Sequence, residues 1–329
     1  MNFCLTEMTY LKYFIPLVIE GNRRGIKSNF YVGTNQKYTN PGKYKKEIID
    51  ISKQYEITIF DIKEACNAKG ITFFIEGSGI DFFSKDIFKI SITALTDYRV
   101  SYKTYVEKVN SVIFLSKSFA DLCDHISLGG NKNKYFGLPK YDVVLNKDLC
   151  LQKYGLNLDE RYALIMYPRH RDLSKFPLVD IITKLKELKY TPIIKSRGKH
   201  SCSDSLGCMY FEDASWFPHT TMELIECSDI IINSGSTTIK EVIMQKKPII
   251  NFDIKPHDDP LSFLYDYDFG FSDNNINMES FKEQVIKLLI ISNDKESFNA
   301  CIKDHFCEGS GTSFRILNYF FEEGVLYGY

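Results

Sequence analysis

Residues 229–252 place the residue types that bind phosphate and sugar within one short segment. An apolar run, Ile230–Ile232, leads into small polar residues at 233–238. A helical pattern follows, and then a second apolar run, Pro248–Phe252. This order predicts a strand, a turn, a helix and a parallel neighbouring strand. The unpaired N–H groups and the positive dipole end at the start of such a helix favour an anion.

Two features of this segment could bind one nucleotide. Glu241 lies six residues after Gly235, and its carboxylate could accept hydrogen bonds from ribose hydroxyls. The same residue types also cap helices in proteins without a nucleotide, and no Walker-type lysine follows the glycine. The local pattern therefore leaves a structural role open beside the binding role. The predicted phosphate contacts stand where the helix begins, and they are Ser234, Gly235, Ser236, Thr237 and Thr238.

Positively charged residues follow other predicted strands in the same half of the chain. Because the carboxyl ends of parallel strands meet at one edge, we expect these residues to converge on the predicted phosphate site. Arginine offers bidentate hydrogen bonds to a diphosphate, and positive charge stabilises a departing nucleoside diphosphate without a metal. We expect at least two of them to contact phosphate, the alternative role being a surface ion pair. They are Arg169, Arg171, Lys195 and Arg197.

The elements that position these residues alternate along the chain. Short apolar runs predict strands, and the segments between them predict helices, which is typical of a parallel, doubly wound α/β sheet. The predicted strands of the first half are Phe3–Leu5, Asn29–Val32, Ile57–Phe60, Ile71–Ile75, Lys89–Leu95 and Val112–Leu115. Those of the second half include Tyr162–Met166, Pro192–Lys195 and Met209–Phe211.

The chain is long enough for two domains. Its 329 residues exceed the usual size of one domain, and the alternating pattern pauses between Asp142 and Glu160 before it restarts. We therefore predict an N-terminal domain of residues 1–150. The second domain, residues 151–329, would bind the nucleotide and end in helices.

Composition excludes several functional classes. Lys and Arg number 41 against 42 Asp and Glu, and this balance argues against a nucleic-acid-binding protein. Apolar runs fall well short of the roughly 18 residues that span a bilayer, and the N-terminus lacks the pattern of a secretion signal. The nine cysteines show no metal-ligand spacing, so we expect buried thiols in a reducing compartment and no metal site. These features predict a soluble, cytoplasmic protein.

Four stretches resemble one superfamily of enzymes. Residues 229–252 resemble the donor-binding βαβ unit of GT-B glycosyltransferases, with Gly235 and Glu241 spaced as in the lipid-II-forming N-acetylglucosaminyltransferases. Residues 136–142, Phe-Gly-Leu-Pro-Lys-Tyr-Asp, resemble the strand closing the first domain of CDP-glycerol glycerophosphotransferases and UDP-N-acetylglucosamine 2-epimerases. Residues 167–172, Tyr-Pro-Arg-His-Arg-Asp, resemble the loop after the first strand of their second domain, and residues 308–316 resemble the start of their last helix. The first 130 residues match only in outline.

This resemblance implies two Rossmann-like domains facing a cleft. It also implies a glycosyltransferase that moves a sugar from a nucleotide-diphosphate sugar, with UDP favoured, to a hydroxyl of a glycan, as in polysaccharide biosynthesis. In the resembled families the glycine turn meets the diphosphate of the donor and the glutamate binds its ribose. Such an enzyme holds no tightly bound cofactor and no metal, and a lipid-linked acceptor would allow peripheral association with a membrane.

The first domain should supply a general base for an inverting displacement. Glu7 follows the first predicted strand, where several GT-B families carry a catalytic acid or base. Asp97 is the second candidate, and Glu76 and Asp81 compete with it at other strand ends. Because Glu7 stands at the start of a predicted helix, its negative charge could instead have the structural role of stabilising the N-terminus of that helix.

Three other functions stay open at the level of sequence. A UDP-sugar 2-epimerase shares the tail motif, although this chain lacks the Gly-Thr-Arg-Pro-Glu type of start after its first strand. Transfer of a polyol phosphate from a CDP-alcohol would fit residues 137–142 and 167–172, although the usual His-Gly pair of the first domain is missing. A nucleotide-binding protein without enzymatic activity is the third, because a fold does not dictate function.

Overall fold

The computed structural model divides the chain into two compact units. The first comprises Met1–Val143 together with Lys303–Tyr329, and the second comprises Val144–Ile302. The residues that the structure describes are 1–33, 40–94, 103–115, 121, 124–125, 129–168, 176–196, 206–234, 236, 238–252, 272–273, 278–291, 295–306 and 310–322.

The first unit is built on a parallel sheet with seven strands among the described residues. Its strands are β1 (Asn2–Leu5), β2 (Ser28–Val32), β3 (Ile57–Asp61), β4 (Ile71–Ile75), β5 (Phe88–Ile92), β6 (Ser111–Phe114) and β7 (Asn133–Tyr135). They lie side by side in the order β3-β2-β1-β4-β5-β6-β7, and every neighbouring pair is parallel. The strand order reverses between β1 and β4.

The second unit repeats this design on a smaller sheet. Its strands are β8 (Tyr162–Met166), β9 (Thr191–Lys195), β10 (Met209–Phe211), β11 (Ile230–Ser234), β12 (Ile249–Phe252) and β13 (Ser272–Asp273). The described residues give the order β10-β9-β8-β11-β12-β13, again with parallel pairs. Here the order reverses between β8 and β11.

Helices connect the strands of both sheets. The early ones are α1 (Leu11–Arg23), α2 (Lys45–Gln54), α3 (Lys147–Lys153) and α4 (Leu178–Glu187). They are followed by α5 (Thr220–Cys227), α6 (Ile239–Met244), α7 (Phe281–Ile291), α8 (Lys295–Phe306) and α9 (Thr312–Leu317). The prediction of two doubly wound parallel-sheet domains is confirmed.

Burial explains why the strands read as apolar runs. All five residues of β4, Ile-Thr-Phe-Phe-Ile, are buried, and so are all five of β11. A parallel sheet covered by helices on both faces buries both sides of each strand, so hydrophobic residues do not alternate with polar ones. In β1 the ring of Phe3 packs 5.1 Å from Phe14 of α1 and 5.4 Å from Phe73 of β4, measured between ring centroids. These contacts hold α1 against the sheet a few residues after Glu7.

The helix α9 and the residues after it, up to Glu322, belong to the first unit. Arg24, after α1, forms an ion pair of 2.9 Å with Glu322, and its guanidinium lies 4.7 Å from the ring centroid of Phe314 in α9. The sequence-based division instead assigned all of 151–329 to the second domain. Its boundary at residue 150 lies close to the division after Val143, but α9 differs in its assignment. An amphipathic helix shows which face is apolar, and it does not show which sheet that face covers.

Two of the family-like stretches contact each other directly. The carboxylate of Asp142 accepts hydrogen bonds from the backbone N–H groups of Thr312 (2.9 Å) and Ser313 (2.6 Å), the first residues of α9. Arg315 donates back to the carbonyl of Phe136 at 2.9 Å. Gly311 precedes the helix with φ +77°, which is a left-handed conformation that favours glycine. The aspartate of one motif therefore caps the helix of the other.

Loss of this cap should lower stability. We expect Asp142→Ala to reduce the free energy of unfolding by about 1–2 kcal/mol, because two N–H groups at a helix start lose a charged acceptor. Urea denaturation followed by circular dichroism measures the change. Asp50→Ala is the matched control, since that exposed aspartate lies on α2. Equal unfolding midpoints for the two variants would show that the cap contributes nothing.

Candidate functional site

The point where the strand order reverses in the second sheet carries the predicted phosphate residues. In open α/β sheets, ligands bind beyond the carboxyl ends of the strands at such a reversal. The hydroxyl of Ser234, the last residue of β11, donates a hydrogen bond of 3.1 Å to the carbonyl of Met166, the last residue of β8. Ser234 is buried, and its hydroxyl ties the two strands together. Its contact with phosphate stays a prediction.

The turn after β11 is held by an asparagine. The amide of Asn233 donates to the carbonyl of Ser236 (3.1 Å) and to the side-chain carbonyl of Asn251 in β12 (2.9 Å). The hydroxyls of Ser236 and Thr238 lie 2.9 Å apart and share a hydrogen bond. Both ends of the turn are therefore fixed before α6 begins at Ile239. Sequence reasoning did not assign this role to Asn233, although an asparagine directly before Ser-Gly-Ser was a signal for it.

Glu241 lies in the first turn of α6, which begins at Ile239. Its side chain is 7% exposed, and that of its neighbour Lys240 is 2% exposed. The contact of Glu241 with a ribose stays a prediction.

Lys195 is engaged in an ion pair inside the second unit. It ends β9, its side chain is almost fully buried, and its ammonium lies 2.8 Å from the carboxylate of Asp213. The ammonium also donates to the carbonyl of Ser196 at 2.8 Å, and Nε2 of His219 lies 3.7 Å from the same carboxylate. A buried charge needs such a partner. A contact with phosphate would require Lys195 to share its charge with Asp213, a residue that the sequence did not single out.

Several predicted binding residues lie outside the described part of the chain. They are Arg169, Arg171, Arg197, Gly235 and Thr237. Their roles stay predictions.

The strand reversal in the first sheet places two carboxylates at neighbouring strand ends. Glu7 follows β1 and Glu76 follows β4, and these strands are paired. The hydroxyl of Tyr10 donates a hydrogen bond of 3.3 Å to Oε1 of Glu7. The hydroxyls of Thr6 and Ser78, also at these two strand ends, lie 2.7 Å apart. The group combines a carboxylate, a phenol and two hydroxyls.

Tyr10 is a member of this group that sequence reasoning did not single out. Burial raises the pKa of its phenol, and the negative charge of Glu7 raises it further. The phenol therefore stays protonated at neutral pH and can donate a hydrogen bond to the carboxylate. Its spacing of three residues from Glu7, at the start of a helix, was the available signal.

The competing carboxylates have other partners. Glu76 has a left-handed backbone, φ +50°, and its Oε1 accepts a hydrogen bond of 3.2 Å from the backbone N–H of Ala94. Asp81 is exposed and forms an ion pair of 2.8 Å with Lys108. Asp97 lies outside the described residues. Among the described candidates, Glu7 is the carboxylate that stands directly after β1 with a tyrosine donor beside it.

Known structures match nearly the whole chain, although no family model and no curated protein matches its sequence. The UDP-GlcNAc 2-epimerase from Neisseria meningitidis, solved with UDP-GlcNAc, aligns with a TM-score of 0.65 at 11% identity, covering 98% of each chain. The wall teichoic acid polymerase TagF aligns with a TM-score of 0.67 at 13% identity, covering 98% of this chain and 88% of that one. A glycosyltransferase from Rickettsia africae gives 0.56 at 12% identity, with 98% of each chain covered.

This chain has the GT-B fold. The group of proteins that the four stretches resembled is the group that its structure matches. At identities of 11–13%, the likeness to these structures shows a shared fold and nothing more. The two strand reversals are therefore those of the two GT-B sheets.

The described part of this GT-B chain contains neither a metal-binding cluster nor a membrane-spanning helix. The His, Cys, Asp and Glu residues described there form no group able to hold a metal ion. Within the same residues, no helix has the length and apolar character needed to cross a membrane. Cys4, Cys150, Cys208 and Cys227 are buried free thiols, as predicted, whereas Cys66 is exposed.

Proposed function

We propose that this protein is a glycosyltransferase that takes a sugar from a nucleotide-diphosphate sugar, UDP-linked, and joins it to a hydroxyl of a glycan acceptor. The reaction would invert the anomeric centre and need no metal. The second unit would bind the donor through the turn after β11, and the first unit would supply the base.

The observation that carries this proposal is the position of Ser236 and of residues 238–241. The turn and Glu241 follow β11, at the strand reversal where α/β sheets bind ligands, and Asn233 fixes the turn from within the sheet. Structural neighbours with a bound nucleotide sugar or UDP support the same class of ligand. Neighbours titled as glycosyltransferases support the reaction class.

In the proposed transfer, Glu7 accepts the proton and the nucleoside diphosphate is the leaving group. The carboxylate of Glu7 takes the proton of the acceptor hydroxyl as its oxygen forms a bond to the anomeric carbon. The bond between that carbon and the donor's β-phosphate oxygen breaks, and its electron pair leaves with the nucleoside diphosphate. Tyr10 would orient the carboxylate of Glu7 through its hydrogen bond of 3.3 Å to Oε1. One displacement with one base inverts the configuration.

Two enzymatic alternatives share this fold. An epimerase is favoured by the alignment with UDP-GlcNAc 2-epimerase, and a CDP-alcohol phosphotransferase by the alignment with TagF. Their products differ. A glycosyltransferase releases a nucleoside diphosphate, a CDP-alcohol phosphotransferase releases CMP, and an epimerase converts one nucleotide sugar into another.

Donor binding tests the proposal first. UDP at about 100 times its dissociation constant should stabilise the protein by about 2.7 kcal/mol, which a thermal shift assay records as a higher Tm. Glu241→Ala should weaken UDP binding more than pyrophosphate binding, because it removes a contact with the ribose. Glu283→Ala, an exposed glutamate on α7, is the matched control. If no nucleotide raises the Tm of the wild-type protein, the nucleotide-sugar function is excluded.

A panel of nucleotide sugars and CDP-glycerol then separates the reactions. Slow release of UDP, GDP or CDP supports a glycosyltransferase. CMP release or conversion of one nucleotide sugar into another would assign the alternative enzymes.

A further inference from the structure

A pocket lies at the edge of the first sheet formed by the amino-terminal ends of its strands. Its volume is about 840 Å³, within the size range of small-molecule sites. It is lined by the amino-terminal ends of β5, β6 and β7 and by Tyr319 and Phe320 near the end of the chain. Glu7 and Glu76 stand at the carboxyl ends of strands in the same sheet, so this pocket is separate from the proposed base.

The pocket is rich in positive charge. Its lining includes two carboxylates, Asp81 and Glu107, against five lysines. Asp81 already forms an ion pair with Lys108, so it neutralises one of them. A concave surface with surplus positive charge attracts and concentrates anions. The lysines are Lys85, Lys89, Lys108, Lys132 and Lys134.

Lys89 is the most unusual of these lysines. Its side chain is 6% exposed, and among the described residues its ammonium makes one hydrogen bond, at 3.5 Å, to the carbonyl of Phe83. Burial lowers the pKa of this ammonium, while the charge of Asp81 acts in the opposite direction. A buried ammonium has three donors, and an anion in the pocket would offer them acceptors.

Two further lysines and an aromatic ring complete the lining. Lys132 donates a hydrogen bond of 3.3 Å to the carbonyl of Val106, which leaves two of its donors. The ammonium of Lys134 lies 5.4 Å from the ring centroid of Tyr319. Tyr319 is partly exposed, and Phe320 behind it packs on Phe88 with ring centroids 5.8 Å apart. A flat group could stack on Tyr319 while its phosphate meets the lysines.

We propose that this pocket binds an organic phosphate, with the phosphate on Lys89, Lys132 and Lys134 and a flat group against Tyr319. The site goes beyond the proposed transferase, whose donor residues lie in the second unit. It would let a phosphorylated molecule bind the first unit independently of the donor.

Reductive labelling with pyridoxal 5′-phosphate tests the site. The aldehyde of this probe forms an imine with a lysine amine and releases water, and borohydride then reduces the imine to a stable secondary amine. We expect peptide mass spectrometry to find the label chiefly on Lys89, Lys132 or Lys134, and inorganic pyrophosphate to protect them. Lys45 and Lys46, exposed on α2, are internal controls. Labelling spread evenly over exposed lysines, without protection, would overturn the proposal.

Calorimetric titration with pyrophosphate provides the matched test. Lys89→Met keeps the length of the side chain and removes its charge, so the fold should survive. We expect affinity at this site to fall about tenfold or more, since a charge-assisted contact is lost. Thr237→Glu, which should abolish diphosphate binding at the turn after β11, should leave pyrophosphate binding in this pocket unchanged, so the two variants together separate failure of this site from failure of the donor site. Unchanged binding in Lys89→Met would refute the assignment.

A vesicle-binding experiment distinguishes a lipid headgroup from a soluble molecule as the source of the phosphate. Sedimentation with phosphatidylglycerol vesicles that is lost in Lys89→Met would assign the phosphate to a lipid headgroup. Protection by pyrophosphate without vesicle binding would assign it to a soluble molecule.

Discussion

Glu7→Gln should lower the rate of sugar transfer by about 10²–10⁴-fold, the range lost when a general base is removed. Glutamine keeps the size of the side chain, and it can still accept the hydrogen bond that Tyr10 donates at 3.3 Å. It cannot accept the proton of the acceptor hydroxyl. UDP affinity should hardly change, because the donor residues lie in the second unit. Initial rates of UDP release, measured beside UDP binding, separate these effects.

Two matched variants and the stereochemistry of the product test further whether Glu7 is the base. Asp97→Asn should act mildly if Glu7 is the base. Tyr10→Phe should lower the rate less than Glu7→Gln, since it removes only the group that holds the carboxylate. The product should have the anomeric configuration opposite to that of the donor. Normal turnover in Glu7→Gln would transfer the role to Asp97, and a retained configuration would eliminate the single-displacement mechanism.

Most strands could be predicted from the sequence because they are buried along their whole length and therefore appear as continuous apolar runs. Both β4 and β8 run over the residues that the sequence predicted, since every side chain in them is buried and apolar or nearly so. The strand β7, Asn-Lys-Tyr, lies at the edge of its sheet and is only partly buried. It carries no apolar run, so the apolar pattern did not predict it. The resemblance implied a strand at residues 136–142, but the structure has the strand at Asn133–Tyr135 and a 3-10 helix at Pro139–Tyr141. Burial on both faces, and not strand propensity, made the other strands readable.

The site was less predictable because its geometry depends on partners distant in the chain. Lys195 stands at a strand end, as predicted, but its partner Asp213 comes 18 residues later and after another strand. Asp142 and the start of α9 are 170 residues apart, yet they form one cap. Sequence patterns report periodicity within an element, and they do not report which polar groups from different elements pair. Neither of these two pairings could be predicted from the sequence alone.

Thr237→Glu should abolish sugar transfer while the fold is retained. Residue 237 stands between Ser236 and Thr238, whose hydroxyls are hydrogen-bonded at 2.9 Å, and Asn233 anchors the carbonyl of Ser236. A turn fixed at both ends cannot easily move away from an added charge. Two like charges about 4 Å apart repel by about 4 kcal/mol at an effective dielectric constant near 20. That energy corresponds to about a thousandfold loss of affinity for a diphosphate.

UDP titration and UDP-release rates measure the loss, with circular dichroism reporting the fold. Thr237→Ser is the control, because it keeps a small hydroxyl and should stay close to wild type. If Thr237→Glu binds UDP as the wild type does, the anion lies elsewhere and the turn after β11 has a structural role alone.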